Sequence, residues 1–245
     1  MSEAAHNTLL QLVGVPHEYN HVVGAAVVTT VLTAAGFRVR AKLRNLDANI
    51  LPEPRISLVN LSTTIVGGIR GLLDGMIGHG SDKYIPLIGS IFFFILLSNL
   101  SGLIPGFPPP TENINTNFAL ALVSWVAFLW AGFSEHGVGY IKQFTGGLPP
   151  KGYGAGITAL LSLIAVLVFA LEFFGQVVIR PLSLTLRLWG NINGDHTLIS
   201  VFNGLVPLLI PCVFLILGIL VSLIQAVVFS LLSAVYIKLA VSHDH

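Results

Sequence analysis

Arg180-Pro-Leu-Ser-Leu-Thr-Leu-Arg-Leu-Trp-Gly-Asn-Ile-Asn-Gly-Asp-His196 lies between two long apolar runs, residues 157–174 and 198–240. It contains two arginines, an aspartate and a histidine. An arginine within hydrocarbon costs roughly 3 kcal/mol on insertion scales. Its guanidinium does not lose its proton to avoid that cost. Arg187, deep inside this stretch, therefore requires a specific environment.

Helical spacing sorts the polar residues of this stretch onto different sides of one helix. At ~100° per residue, five residues share a face: Arg180, Ser183, Arg187, Asn191 and Gly194. Asp195 lies beside that face and His196 lies nearly opposite Arg187. The pattern favours ion handling, with a fixed positive charge presented to one neighbour and titratable groups to another. Arg180, beside Pro181, fits equally well at the end of a span, with its side chain reaching the lipid headgroups.

The composition predicts an all-α integral membrane protein. Of the 245 residues, 54% are hydrophobic and 9% are charged, whereas a soluble protein carries about 25% charged residues. Apolar runs long enough to span a bilayer recur along the chain. A formal net charge of +1 argues against a nucleic-acid partner. The single Cys212 excludes a disulfide within the chain, and the sequence predicts no metal site and no cofactor.

The apolar runs predict one transmembrane domain, residues 1–245, with about five transmembrane helices. The expected spans are 20–37, 86–104, 116–134, 154–203 and 206–240. Residues 55–80 are too polar to cross, and their apolar residues recur at helical spacing around Arg70 and Asp74. This segment is predicted to be an amphipathic helix at the membrane interface.

Basic residues predict the orientation, because Lys and Arg concentrate on the cytoplasmic side of a membrane. Four of them follow the first span within seven residues: Arg38, Arg40, Lys42 and Arg44. The N-terminus is therefore expected outside and the C-terminus in the cytoplasm. For residues 154–203 the sequence allows either two upright helices with a tight turn at Arg180-Pro181 or one long, bent and tilted helix.

Polar residues elsewhere in the spans leave several interpretations open. Asn99 suits a wet cavity or a hydrogen bond to a neighbouring helix, and Asn115 suits a water-lined wall or a helix N-cap. Glu172 is expected either buried and protonated or at the wall of an aqueous pocket. Gln225, alone, is typical of a hydrogen bond between membrane helices. His21 is expected at the headgroups.

Three segments resemble subunit a of the F-type ATP synthase, the membrane stator subunit of the proton channel, also called the ATPase A chain family. They are Pro181-Leu-Ser-Leu-Thr-Leu-Arg-Leu-Trp-Gly-Asn191, Asn99-Leu-Ser-Gly-Leu-Ile-Pro105 and Leu223-Ile-Gln-Ala-Val-Val-Phe229. The chain departs from the family pattern at Trp189, usually Phe, and at Gly218, often His or Glu. The family glutamate commonly lies eight residues before the proline, whereas Glu172 lies nine before Pro181.

The resemblance implies a fold and a set of partners. The last two helices are expected to be long and tilted and to form a hairpin against the rotor ring of c subunits. Peripheral-stalk b subunits, other ATP synthase subunits, membrane lipid and protons are the further partners expected. The membrane would be a bacterial cell (inner) membrane or an equivalent energy-transducing membrane.

The resemblance also implies a non-catalytic, ion-translocating role that couples proton flow to rotation and ATP synthesis. Two offset aqueous half-channels are expected on either side of Arg187, which exchanges protons with the ring carboxylates. The residues expected to serve proton translocation are Arg187, Asn191, Asp195, His196, Gln225, Glu172, Ser183, Asn115 and Asn99. No G-x-x-x-x-G-K-S/T run is present, so nucleotide chemistry is expected on other subunits.

Two other classes of function compete with this interpretation. A secondary transporter could use Arg187 to bind an anion at mid-membrane, although the sequence has no internal repeat of the kind such transporters carry. A structural membrane subunit could use the arginine only to pair with Glu172 or Asp195.

Overall fold

The computed structural model describes residues 16–44, 57–78, 80–104, 106–140, 155–203 and 209–241. Within these ranges the secondary structure is helical and contains no strand. The α-helices are α1 (Asn20–Leu43), α2 (Leu58–Ile77), α3 (Ile85–Ser101), α4 (Ile114–His136), α5 (Ala155–Phe174), α6 (Arg180–Asn203) and α7 (Leu209–Val241).

Five helical segments are long and apolar enough to cross a membrane. They are Asn20–Leu43, Ser81–Ser101, Ile114–His136, Leu160–Asp195 and Val213–Val241. The expectation of an all-α integral membrane protein with about five transmembrane helices is confirmed. The first segment runs beyond the predicted residue 37, because Arg and Lys are good helix formers and stabilise the C-terminal end of a helix dipole.

Helix α2 is amphipathic and packs beside the spans. It buries Ile69 and Leu73 against α3 and α7. On its exposed side Arg70 pairs with Asp82, with 3.1 Å between Nη2 and Oδ1, and more loosely with Asp74. Ile69 and Leu73 thus face the bundle, whereas Arg70 and Asp74 face away from it.

Helices α3, α4, α6 and α7 form the buried core. Its most deeply buried side chains include Ile95, Ala121, Leu188, Ala226 and Ile237. A hydrogen bond of 2.8 Å from the Ser124 hydroxyl to the Ser233 hydroxyl joins α4 to α7 inside this core. Helix α5 is different, since its apolar side chains are mostly exposed. The core therefore holds α6 and α7 together, and α6 carries Arg187.

Helices α5 and α6 are continuous through one turn of π-helix, Gly175–Ile179. The Arg180 N–H bonds to the Gly175 carbonyl, and the next bond of that series would need the N–H that Pro181 lacks. The indole N–H of Trp125 on α4 donates to the free Gln176 carbonyl instead, at 3.0 Å. The chain thus remains helical through Arg180-Pro181 and makes no tight turn there.

Gly132 on α4 is required for close packing of a buried aromatic ring. A Cβ at this position would lie 2.5 Å from Cε2 of Tyr140, whose side chain is 2% exposed. We therefore expect Gly132→Ala to destabilise the chain by about 1–3 kcal/mol, seen as a lower melting temperature in detergent. Gly89→Ala on α3 is the matched control, because no atom lies within 4 Å of its added Cβ. Equal melting temperatures for the two variants would contradict this packing.

Candidate functional site

Arg187 lies on the exposed side of α6. Leu184, Leu188 and Ile192 form the opposite, buried side of the helix, each at most 5% exposed. Arg187 is ~100° from Leu188 around the helix and its side chain is exposed. Among the described residues, no side chain makes a hydrogen bond or ion pair with its guanidinium. The charge is therefore held on the surface of this chain and is not neutralised within the part described.

The polar face of α6 that carries Arg187 is flanked by exposed apolar side chains. Exposed apolar side chains on α6 and α7 include Leu182, Leu186, Trp189, Leu220, Leu223, Ile224 and Val227. Lipid would leave a guanidinium on such a surface unsolvated, which is costly. A guanidinium at this place therefore requires a polar neighbour, which the described residues do not supply.

A hydrogen bond between α6 and α7 sets the depth of Arg187. The Asn191 amide donates to Oε1 of Gln225, at 2.7 Å, and the Gln225 side chain is 3% exposed. Gln225 lies twelve residues after Val213 and sixteen before Val241, the ends of its span. Arg187 lies one turn of α6, ~5.4 Å, from Asn191. The charge is thus near the middle of the bundle, with Ser183 half-buried one turn further along.

Beyond Asn191, α6 approaches the turn that joins α3 to α4. The Asn193 amide makes a long contact of 3.4 Å with the Glu112 carbonyl. Asp195 is half-buried, seven residues after the fully buried Leu188 and so on the bundle-facing side of α6. His196 is part of the helix, but its side chain lies outside the described residues.

Gly218 on α7 provides space for a side chain of another segment. A Cβ on Gly218 would lie 2.7 Å from Cδ2 of Leu103, which follows α3. The resembling family often has histidine or glutamate at this position, and here Leu103 occupies the adjoining space.

Two buried asparagines hold the turn between α3 and α4. The Thr111 hydroxyl donates to Oδ1 of Asn99 at 2.8 Å, and the Asn117 amide donates to the Thr111 carbonyl at 2.7 Å. Nδ2 of Asn99 and Oδ1 of Asn117 are buried without a protein partner among the described residues. Asn99 therefore bonds a neighbouring segment and keeps one polar group available, a place where buried water is typical.

Asn115 is exposed, and its backbone N–H bonds to Oδ1 of Asn113, which caps α4. The Asn113 amide in turn lies 3.3 Å from Nδ1 of His21 on α1. This part of the chain thus combines turn and cap chemistry with an exposed amide, and His21 is half-buried against it rather than free at a surface.

The contact between Thr111 and Asn99 gives a testable stability prediction. We expect Thr111→Val to lower the free energy of unfolding by about 1–3 kcal/mol, because the buried Asn99 carbonyl oxygen loses its donor. Thr29→Val on α1 is the control, since Thr29 is exposed and bonds only to Ala25 of its own helix. Thermal unfolding in detergent measures both variants. An unchanged midpoint for Thr111→Val would show that this bond does not stabilise the turn.

Glu172 lies on α5 just before the π turn. Its side chain is exposed, and its Oε2 accepts a hydrogen bond of 3.1 Å from the amide of Gln176. The π turn contains one residue more than a regular helical turn. The rotation around the helix axis from Glu172 to Arg187, fifteen residues later, therefore equals that of fourteen residues in a regular helix. The two side chains then come within ~40° of one another around the helix axis. Glu172 and Arg187 therefore lie on nearly the same side of the long helix.

Arg180 is held between two aromatic rings. Its Cζ atom lies 5.1 Å from the ring centre of Phe128 on α4 and 4.9 Å from that of Tyr236 on α7. The side chain is half-buried, and Nη1 is buried without a hydrogen-bond partner among the described residues. Nearby, burial raises the pKa of the Tyr140 phenol to about 12, against the opposing charge of Arg180. Arg180 is thus packed against rings from two neighbouring helices.

Sequence reasoning missed Arg180, Gln176 and Thr111 as site residues. A proline directly after Arg180 was the available signal for irregular backbone. Nothing in the sequence identified Phe128 and Tyr236 as partners of Arg180, because they come from helices distant along the chain. The structure joins Asn191 to Gln225 and Glu172 to Gln176, and it leaves Asn115 and Arg187 exposed.

Fold and site together define an integral membrane protein with a fixed positive charge on the exposed face of two packed spanning helices. The family model described as "ATP synthase A chain" matches residues 22–238. Over 233 residues the chain is 40% identical to ATP synthase subunit a of Bdellovibrio bacteriovorus, covering 95% of this chain and 96% of the relative.

Two further relatives are similar over a shorter length. ATP synthase subunit a 1 of Pelobacter propionicus is 41% identical over 188 residues, 77% of this chain and 76% of the relative. ATP synthase subunit a of Citrifermentans bemidjiense is 41% identical with the same coverage. The chain belongs to the ATP synthase A chain family, which confirms the resemblance recognised from the sequence.

Proposed function

We propose that this chain is the proton-channel stator subunit of a rotary F-type ATP synthase. The observation that carries the proposal is the exposed Arg187 on a spanning helix, with no charged partner among the described residues, in a member of the ATP synthase A chain family. A partner that presents acid groups to this face would satisfy the guanidinium. A rotating ring of c subunits, each carrying one carboxyl group, is that partner.

Arg187 controls the protonation of the ring carboxyl by electrostatics. In lipid the carboxyl is neutral, because hydrocarbon disfavours its charged form. Opposite Arg187 the ionised form is favoured, so the returning carboxyl loses its proton there. The permanent charge of Arg187 also repels a proton that would pass directly from one side of the membrane to the other.

Two offset aqueous half-channels would deliver and remove the protons. On the outer side, Asp195, His196, Asn115 and Asn99 serve the path to the ring carboxyl. The orphaned amide of Asn99 and the half-buried Asp195 support this placement. On the inner side, the exposed Glu172, aligned with Arg187 by the π turn, receives the departing proton.

Asn191, Gln225 and Ser183 lie between the two half-channels. The bond from Asn191 to Gln225 fixes α6 against α7 one turn from Arg187. Ser183 supplies a hydroxyl one turn on the other side. Each proton that crosses 100 mV releases ~2.3 kcal/mol, and a leak between the half-channels would dissipate that energy without rotation.

The chain itself performs no catalysis in this scheme. ATP is made or hydrolysed on other subunits, and b subunits of the peripheral stalk hold this chain against the rotation of the ring. The N-terminus lies outside and the C-terminus in the cytoplasm of a bacterial cell membrane or an equivalent membrane. In this orientation α2, which follows the first span, lies at the cytoplasmic interface of the membrane.

Cysteine accessibility tests the two half-channels and the orientation together. In a Cys212→Ser background, we expect Asp195→Cys to react with a charged, membrane-impermeant thiosulfonate added outside. Glu172→Cys should react with the reagent added inside, because only a hydrated thiol forms the reactive thiolate. Leu163→Cys is the control: its side chain is 60% exposed on α5, and in lipid it should react from neither side. Labelling of both test cysteines from the same side would refute the offset half-channels.

A further inference from the structure

Arg180 carries a second fixed positive charge, seven residues before Arg187 on the same helix. The site assigned to proton exchange does not use it. Its guanidinium is placed between a ring from α4 and a ring from α7, at 5.1 and 4.9 Å, within the ~6 Å range of cation–π attraction. Three helices therefore meet at this one side chain.

The position of Arg180 along the helix is also special. It is the first residue of α6 and directly follows the π turn Gly175–Ile179. Hydrogen bonds are irregular there, since Pro181 cannot donate and Trp125 supplies the bond to the Gln176 carbonyl. A helix is free to change its rotation at such a point, because the regular bond ladder does not fix it.

We propose that Phe128, Arg180 and Tyr236 form a clamp that fixes the rotation of α6 and so aims Arg187 at the rotor ring. This proposal rests on the proposed function. Phe128 is 3% exposed and belongs to the buried core, so one side of the clamp is held in place by core packing. Two helical turns, ~10.5 Å, separate the clamped residue from Arg187. A small rotation of α6 at Arg180 would therefore turn the Arg187 side chain away from the rotor ring. Arg180 is a positioning residue in this scheme and does not exchange protons.

Charge alone does not account for this arrangement. If only the positive charge of Arg180 mattered, a carboxylate could stabilise it as well as two rings do. The Glu172 carboxylate is close enough to Arg180 to interact with it electrostatically. The carboxylate instead bonds to Gln176, and the guanidinium lies over the two rings. Two rings on different helices thus fix the direction of the Arg180 side chain, which a single opposite charge would not do.

The test uses the whole ATP synthase complex in membrane vesicles and measures ATP-driven proton pumping per ATP hydrolysed. We expect Arg180→Gln, Tyr236→Leu and Phe128→Leu each to lower this ratio about tenfold, the effect of ~1.4 kcal/mol. Tyr236→Phe keeps the ring and should keep the ratio. Phe118→Leu is the matched control on α4, because Phe118 is exposed and far along the helix from Phe128.

A double-mutant cycle separates the clamp from two independent structural effects. If Arg180 acts through the Tyr236 ring, Arg180→Gln combined with Tyr236→Leu is no worse than either single variant. The rate of disulfide formation between Asn191→Cys and Gln225→Cys, in the Cys212→Ser background, reports the rotation of α6 directly. It should fall several-fold in the clamp variants, with complex assembly measured on the same membranes. Additive losses, or an unchanged disulfide rate, would overturn the clamp.

Failure of the clamp is distinguishable from failure of the proposed function. If Arg187→Ala stops pumping while the three clamp variants pump normally, the proton-exchange role stands and the clamp is rejected. If Arg187→Ala itself pumps normally, the role of Arg187 is rejected whatever the clamp variants do.

Discussion

Replacement of Arg187 by alanine is expected to lower ATP-driven proton pumping at least ~100-fold. The variant removes the one guanidinium that favours the ionised ring carboxyl, and charge pairs of this kind, once broken, cost about 3–5 kcal/mol. Passive proton conductance should rise at the same time, because the barrier between the half-channels is lost. Pumping and leak are measured by the quenching of a pH-sensitive dye in vesicles containing the complex.

Arg70→Ala provides the matched control for Arg187→Ala. Arg70 is an exposed arginine on α2 that pairs with Asp74 and Asp82, and exposed pairs contribute about 0–1 kcal/mol. We expect this variant to pump at nearly the native rate. Native pumping by Arg187→Ala, with the complex fully assembled, would exclude the role assigned to Arg187.

Replacement of Gln225 by leucine is expected to lower coupled pumping about tenfold. Leucine has a similar volume but cannot accept the Asn191 amide proton, and the loss of one such hydrogen bond costs about 0.5–1.5 kcal/mol. The loss frees α6 from α7 one turn from Arg187. Initial pumping rates in vesicles, normalised to the amount of complex, measure the effect.

Asn191→Leu should reproduce the defect of Gln225→Leu, and the double variant should be no worse than either, because both remove the same bond. Asn193→Leu is the control: this asparagine lies on the same helix, bonds to the Trp189 carbonyl of its own turn, and makes only a long contact of 3.4 Å with the Glu112 carbonyl outside it. A large defect in Asn193→Leu would mean that α6 is sensitive to any such change, and the bond to Gln225 would lose its special role.

The sequence predicted the all-helical membrane fold because long apolar runs leave few other structures possible in a bilayer. It also predicted a polar face on α6, since helical spacing alone places Arg187, Asn191 and Ser183 together. The partner of Asn191 required knowledge of how α6 lies against α7. Gln225 was typical of a hydrogen bond between membrane helices, and in the structure it accepts one from Asn191.

Other features depend on contacts that no local pattern encodes. The position of Arg180 between two rings depends on Phe128 of α4 and Tyr236 of α7, each more than fifty residues away along the chain. Asn99 was left between a wet cavity and an interhelical bond, and the structure gives it a bonded oxygen and a free amide nitrogen. The π turn was missed because proline in a membrane helix is compatible with several local irregularities.

The wide turn before Arg180 has a consequence for how the length of this segment varies. In the resembling family the glutamate commonly lies eight residues before the proline, whereas here the count is nine. A regular helix with the shorter spacing and this helix with its bulge rotate by the same amount between the two residues. A single residue inserted into or lost from Gly175–Ile179 would thus be absorbed locally, and the acid and the arginine would keep their relative orientation around the helix.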